Sequence, residues 1–157
     1  MSFDKAKKYL EEKGYADHII ELADSSATVQ LAAQALGVEP GMIAKTLSFL
    51  VGDQPILILA EGTARIDNHK YKDTFHVKAK MIPFDDVESY IGHAPGGVCP
   101  FGIKEGIAVY LDESLKKFDT VYPAAGNDHS AVKLTIAELE AVAGAEGWVD
   151  VCKDEPV

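Results

Sequence analysis

From Ile43 to Val51 the chain follows a period of two, with Ile43, Leu47, Phe49 and Val51 on one face and Thr46, Ser48 and Leu50 on the other. That alternation is the signature of a strand. Gly52-Asp53-Gln54-Pro55 is turn chemistry, and the unbroken apolar run from Ile56 to Ala60 reads as an antiparallel partner buried on both faces. The hairpin is predicted to form the middle of a sheet. Upstream the spacing is helical: Phe3, Ala6, Tyr9 and Leu10 share one stripe behind Ser2, a candidate cap, and Gly14 supplies a left-handed stop. His18 to Leu22 suits a short strand. Thr28 opens a second helix that runs to Leu36 and closes at Gly37, with a turn at Pro40-Gly41.

Downstream, Asp67 is placed to cap a helix reaching about Phe75, and Val77 to Met81 reads as an edge strand with its lysines in water. Asp85 to Ile91 is a further helix ended by Gly92. Ile107 to Leu111 is a strand, Asp112 to Phe118 a helical turn, and Thr120 to Pro123 and Ala131 to Leu134 are shorter strands. Thr135-Ile136-Ala137-Glu138 is a capping box that opens the last helix, Trp148 to Val151 closes the sheet, and the tail from Lys153 to Val157 is expected to fray. Strands and helices interleave without a strict βαβ rhythm. The expected fold is α/β of the α+β type, a curved mixed, mostly antiparallel sheet or partial barrel with packed helices.

A length of 157 residues with 47% hydrophobic content fits one domain spanning 1–157. No stretch approaches the roughly 18 consecutive apolar residues of a membrane helix, and Met1-Ser2-Phe3-Asp4-Lys5 lacks a signal-peptide core, so a soluble, cytoplasmic protein without a membrane partner is expected. Cys99 and Cys152 belong to no CxxC or Cys/His cluster, which argues against a disulfide framework and a structural metal; no cofactor is expected. Fifteen basic against twenty-five acidic residues give a formal charge of -10. Such a charge works against the broad basic face that DNA requires, and any nucleic acid must be gripped locally. The densest basic run is Lys70, Lys72, Lys78 and Lys80, interleaved with His69 and His76. Its ordinary alternative is a solvated face.

Four features invite chemistry. Lys45 falls on the face of Ile43, Leu47 and Phe49. An inward ammonium must be paired, shifted in pKa or placed at the rim of a pocket for an anionic or carbonyl ligand, unless it snorkels to water from the strand end. The loop from His93 to Gly106 holds Gly96, Gly97, Gly102, Pro95 and Pro100 around Val98, Cys99 and Phe101. Adjacent glycines allow successive backbone N–H groups to face a ligand, and aimed at a carbonyl they form an oxyanion hole; a plain turn is the alternative. Gly126-Asn127-Asp128-His129-Ser130 is a polar turn with one imidazole, either flanking the same pocket or simply exposed. Cys99 as a nucleophile, with His129 as base and Asp128 as its orienter, lacks the cationic or helix N-terminal setting that lowers a thiol pKa, and is otherwise a small packing residue.

Taken in order, Ala33-Gln34-Ala35-Leu36-Gly37-Val38, Ile43-Ala44-Lys45-Thr46-Leu47, Gly96-Gly97-Val98-Cys99-Pro100-Phe101-Gly102 and Leu111-Asp112-Glu113-Ser114-Leu115 resemble the YbaK/ProX family of aminoacyl-tRNA deacylases, relatives of the editing domain in bacterial prolyl-tRNA synthetases. The resemblance covers about Ala33 to Leu139. It implies a YbaK-like fold and trans-editing hydrolysis of an amino acid, alanine or cysteine, wrongly esterified to tRNA, typically tRNA(Pro). The family's lysine maps onto Lys45, with Thr46 beside it. Its Gly-x-x-x-Pro loop maps onto Gly96 to Pro100, and its later glycine onto Gly126. His129 has no secure counterpart and is kept as a substrate-side candidate. The family has no obligatory catalytic cysteine or metal, and the adenosine's neighbouring hydroxyl is thought to assist, so no Ser/His/Asp triad is needed. The implied partner is aminoacyl-tRNA, held either by the protein itself, through the Lys70 to Lys80 segment, or with a prolyl-tRNA synthetase that presents it. A non-catalytic module that binds an aminoacyl or nucleotide end, and a cysteine hydrolase, are the competing classes.

Overall fold

The computed structural model describes residues 2–153; the side chain of Ser2 and residues 154–157 lie outside them, and with these the expected cap at Ser2 and most of the expected frayed tail. Lys153, assigned to that tail from sequence, is instead paired with Arg65.

Helix α1 (Ser2–Glu12) lays Ala6 and Leu10 on the body and is followed by Gly14 at φ 87°. Strand β1 (Ile19–Glu21) leads to α2 (Val29–Leu36), whose start is fixed by Thr28 accepting a hydrogen bond from the Leu31 N–H at 3.2 Å and whose end is Gly37 at φ 71°. The predicted hairpin is β2 (Ala44–Val51) and β3 (Gln54–Glu61), in register from Ala44 opposite Glu61 to Val51 opposite Gln54. Short β4 (Arg65–Ile66) precedes α3 (Asn68–Phe75), capped by Asp67 as expected, and α4 (Val87–Ile91) ends at Gly92. Strand β5 (Ala108–Asp112) follows the glycine loop. After it come β6 (Thr120–Val121), β7 (Ser130–Val132), β8 (Leu134–Thr135), α5 (Ile136–Val142) with its complete capping box, β9 (Gly147–Val149) and β10 (Cys152–Lys153).

The main sheet has the order β2-β3-β5-β9. The hairpin therefore sits at one end of the sheet and not in its middle. The chain between β3 and β5 carries α3, α4 and the glycine loop, a crossover long enough to return β5 parallel to β3, and β9 joins β5 in parallel too. The three remaining ladders, β1 with β7, β4 with β10 and β6 with β8, are antiparallel, so the architecture is mixed, with antiparallel pairings in the majority and no closed barrel among the described residues. Strand β3 holds the two layers together. Its Leu57 and Leu59 face a core of Leu10, Phe101, Leu111 and Leu139, while Ile56, Ile58 and Ala60 face Phe49, Tyr71 and Val151. Full burial of each such large aliphatic side chain contributes about 1.5 to 3 kcal/mol.

The outer edge of β2 positions the site. At one end the Ala44 N–H donates to the Tyr122 carbonyl (3.3 Å) and the Tyr122 N–H to the Met42 carbonyl (2.8 Å). At the other, the Leu50 N–H donates to the Lys80 carbonyl (2.9 Å) and the Ile82 N–H to the Ser48 carbonyl (3.1 Å). The segment predicted as a strand over Val77 to Met81 makes these contacts and one bridge, Phe49 with Met81, without forming a strand of its own. Between the two clamps no strand among the described residues covers β2. Because Ala44 and Leu50 both aim their N–H groups outward, strand alternation turns the N–H and C=O of Thr46 to the same open side.

Candidate functional site

A cavity of about 450 Å³ opens at this uncovered edge. That is the size of ordinary small-ligand sites. Strand β2 contributes Ile43 to Ser48, the loop before α2 contributes Ser26, Ala27 and Thr28, and the glycine loop contributes Pro95, Gly96 and Val98. Tyr122, Ala124, Ser130 and Ala131 close the far side, and Met81, Ile82, Phe84 and Val87 stand at the remaining wall. Lys45, Thr46, Gly96 and Val98, separated by about a third of the chain, thus meet in one space.

The polar groups within it are few and placed. The hydroxyls of Thr46 and Ser130 are buried and hydrogen-bond to nothing among the described residues. Buried hydroxyls without partners are rare in native structures, and these two lie beside one cavity, open to pairing by whatever occupies it, water included. Ser130 is held by its backbone, which exchanges hydrogen bonds with the Ser26 hydroxyl at 3.3 and 3.4 Å. Lys45 shares the strand face of Leu47 and Phe49, as its position in the period requires. Its ammonium donates to the carbonyls of Gly62, at 3.3 Å, and Ala64, so the charge is neither buried without partners nor swung out into water. The tether fixes the ammonium against the chain that follows β3, while Lys45 itself is part of the cavity's β2 wall.

The glycine loop is built on close backbone approach. Gly96 takes φ 89°, and a Cβ on Gly97 would lie 2.5 Å from the carbonyl carbon of Gly126. Only glycine lets the loop press against the turn at Gly126, itself at φ 96°. Gly102, at φ 69°, lies so close to α1 that a Cβ would meet the Lys5 carbonyl oxygen at 2.6 Å. Gly97, Cys99, Pro100, Phe101 and Gly102 therefore do not line the cavity; they form the frame behind Gly96 and Val98. Cys99, Pro100 and Phe101 are buried in it. Within this frame the buried imidazole of His93 bonds the Phe101 carbonyl through Nε2 at 2.6 Å and lies 3.6 Å from the Cys99 sulfur. Burial holds the His93 pKa below its ordinary 6.5, so the neutral ring donates its Nε2 proton to the carbonyl.

The same burial pushes the Cys99 thiol up to about 12. A thiol held in its protonated form is no nucleophile at neutral pH. His129 does not approach it: the imidazole is exposed on the neighbouring turn, 2.7 Å from the Asp128 carboxylate, and lines no part of the cavity. Cys99→Ala is accordingly expected to keep whatever hydrolytic activity the wild type has, with a stability loss of about 1 kcal/mol for the deleted sulfur. Complete inactivation of a folded Cys99→Ala protein would restore the cysteine hydrolase. No cluster of three metal-ligating side chains occurs among the described residues, and no helix among them is long and apolar enough to cross a membrane.

Sequence reasoning missed Ser26, Ser130, Tyr122 and the Met81–Phe84 wall. Ser130 was visible only as the last residue of a polar turn; its burial follows from pairing with Glu21 across β1 and β7, a contact between segments 109 residues apart.

Comparison with known proteins agrees with these features. Residues 23–142 match the family described as the aminoacyl-tRNA editing domain. The chain is 46% identical to the uncharacterized Bacillus subtilis protein YwhH over 98% of this chain and 99% of that one. It is 27% identical, over 76% of its length and 74% of the other's, to an Enterococcus faecalis protein, EbsC, provisionally named a Cys-tRNA(Pro)/Cys-tRNA(Cys) deacylase. A crystal structure provisionally described as a trans-editing enzyme for prolyl-tRNA synthetase superposes with a TM-score of 0.86 at 31% identity, covering 99% of this chain and 98% of that one. Proline–tRNA ligase of Limosilactobacillus fermentum matches 64% of this chain with 19% of its own length, at 28% identity. The chain belongs to the aminoacyl-tRNA editing domain family and is YbaK-like, a relative of the domain found within prolyl-tRNA synthetases.

Proposed function

We propose that this protein hydrolyses the ester that joins a wrongly chosen amino acid to tRNA, acting on tRNA(Pro) carrying alanine or cysteine. The observation that carries the reading is the convergence of Lys45, the open edge at Thr46, and Gly96 and Val98 of the glycine loop on one cavity. An aminoacyl ester already has a competent leaving group, so the protein's task is to fix the carbonyl, stabilise the oxyanion that forms on it and admit water. Backbone N–H groups of the glycine loop and the Lys45 cation supply the stabilisation. The Thr46 carbonyl and the Ser130 hydroxyl are acceptors for the α-ammonium group. Water adds to the carbonyl carbon, the C–O bond to the ribose breaks, and the ribose oxygen takes up the proton. The apolar remainder of the wall receives the side chain and limits its size, with discrimination of roughly 1 to 3 kcal/mol per methylene. A cytoplasmic location accords with such a substrate.

The test is a panel of aminoacyl-tRNAs. Alanine or cysteine should be released from tRNA(Pro), with proline retained. Binding of mischarged tRNA without release at high protein concentration would instead identify a non-catalytic module.

A further inference from the structure

Charge is unevenly distributed in this acidic chain. Thirteen residues from Asn68 to Lys80 hold four lysines and two histidines against a single acid, Asp73. Lys70 is engaged by Asp150 at 3.1 Å and by the Cys152 carbonyl at 2.9 Å, and His69 by Asp73 at 3.3 Å. Lys72, Lys78 and Lys80 are exposed and form no ion pair among the described residues. Lys72 and Lys78 line a second recess, of about 400 Å³, beside α3. The chain then runs directly to the first cavity: the Lys80 carbonyl is fastened to the Leu50 N–H, and Met81 and Phe84 stand in the cavity wall. From Lys78 to Met81 is about 10 Å of extended chain. At the end of this strip Phe84 is 75% exposed and Met81 56%, large apolar side chains left uncovered where the cavity meets solvent. A row of unpaired cations leading to an exposed aromatic ring is the arrangement that binds single-stranded nucleic acid, phosphates on the lysines and a base on the ring.

We propose that this strip seats the unpaired 3′ end of the acceptor stem, with the terminal base stacked on Phe84 and the phosphates behind it running along Lys80, Lys78 and Lys72 into the recess beside α3. The direction rests on reading the first cavity as the aminoacyl ester site. The acids Asp85, Asp86 and Glu88 follow Phe84 in the chain and turn the phosphates toward the lysine side. The strip resolves how a chain of charge -10 holds tRNA: three local cations at the one place where the backbone must pass, with the bulk of the surface left repulsive.

The experiment uses a fluorescein-labelled RNA hairpin with an unpaired 3′ strand and no amino acid, and the same hairpin cut blunt, read by anisotropy as a function of salt. The wild type should bind the overhanging form about tenfold more tightly. Lys72→Gln, Lys78→Gln and Lys80→Gln combined should weaken that binding about tenfold and flatten the slope of log affinity on log salt by about 2, three phosphate contacts at roughly 0.7 each. Phe84→Ala should weaken the overhanging form alone. Equal affinity for the two hairpins, or an unchanged affinity and salt slope in the triple variant, would overturn the proposal. The RNA carries no ester, so a protein that passes this test yet releases no amino acid refutes the proposed hydrolysis and leaves the strip standing.

Discussion

Lys45→Ala is expected to lower kcat/KM for amino acid release by about 10²- to 10³-fold, the usual consequence of removing one preorganised group that faces a developing oxyanion. The expectation rests on position. Lys45 lies on the strand whose open edge forms the cavity wall, and its ammonium is held by the Gly62 and Ala64 carbonyls, so little reorganisation is needed at the moment of reaction. The same tether creates a second, separable effect. Without the ammonium those two carbonyls lose a charged donor, at about 1 to 3 kcal/mol of stability. Lys45→Met, which keeps the stem and loses the charge, should be as inactive as Lys45→Ala, and both should stay inactive at temperatures where circular dichroism reports a fully folded chain. A folded Lys45→Met protein with wild-type kcat/KM would show that the lysine only fastens the connection after β3, and the mechanism would fall.

Local chemistry in the sequence located most elements. Thr28, Asp67 and the Thr135–Glu138 pair cap helices where their side chains say they should, and Gly37 and Gly92 end helices in the left-handed region. Those signals act within four residues and need no tertiary information. The order of strands did not follow from them. A hairpin looks the same whether it is central or terminal, and only the parallel return of β5 beside β3 decides it. The site was legible in a similar, uneven way. Period two put Lys45 on an inward face, and glycine density pointed to the loop, but neither says which of the loop residues face the ligand. Cys99 invites a nucleophile in sequence and Phe101 stands with it in the candidate loop, whereas in the fold both are buried packing behind Gly96 and Val98. Val77 to Met81 carried a strand pattern that the structure uses differently, as a strap across the edge of β2 that ends at the mouth of the cavity. Ser130 gains significance only through the fold, which buries its hydroxyl without a partner among the described residues beside the same cavity as that of Thr46.

Gly97→Ala tests the frame without touching the cavity, and it is expected to cause a loss of about 1 to 3 kcal/mol together with a fall in kcat of about 100-fold. The added methyl would meet the Gly126 carbonyl carbon at 2.5 Å and the Asn127 nitrogen and Gly126 oxygen at 2.6 Å, all backbone atoms. No rotamer change relieves such a contact. The turn cannot easily withdraw, because the Ser26 N–H holds the Asp128 carbonyl at 2.6 Å and the Leu22 N–H holds the His129 carbonyl at 2.8 Å. The loop must yield instead, and its neighbours Gly96 and Val98 are the residues that line the cavity. Catalysis should therefore suffer more than folding does: a melting point lower by roughly 3 to 10 °C for a chain of this size, but a deacylation rate far below what the remaining folded fraction accounts for. Gly147→Ala is the control, since a Cβ there meets nothing within 4 Å, and it should leave the rate unchanged. If Gly97→Ala melted with the wild type and deacylated at its rate, the loop would be free to move, and its backbone could not be the preorganised cradle of the carbonyl.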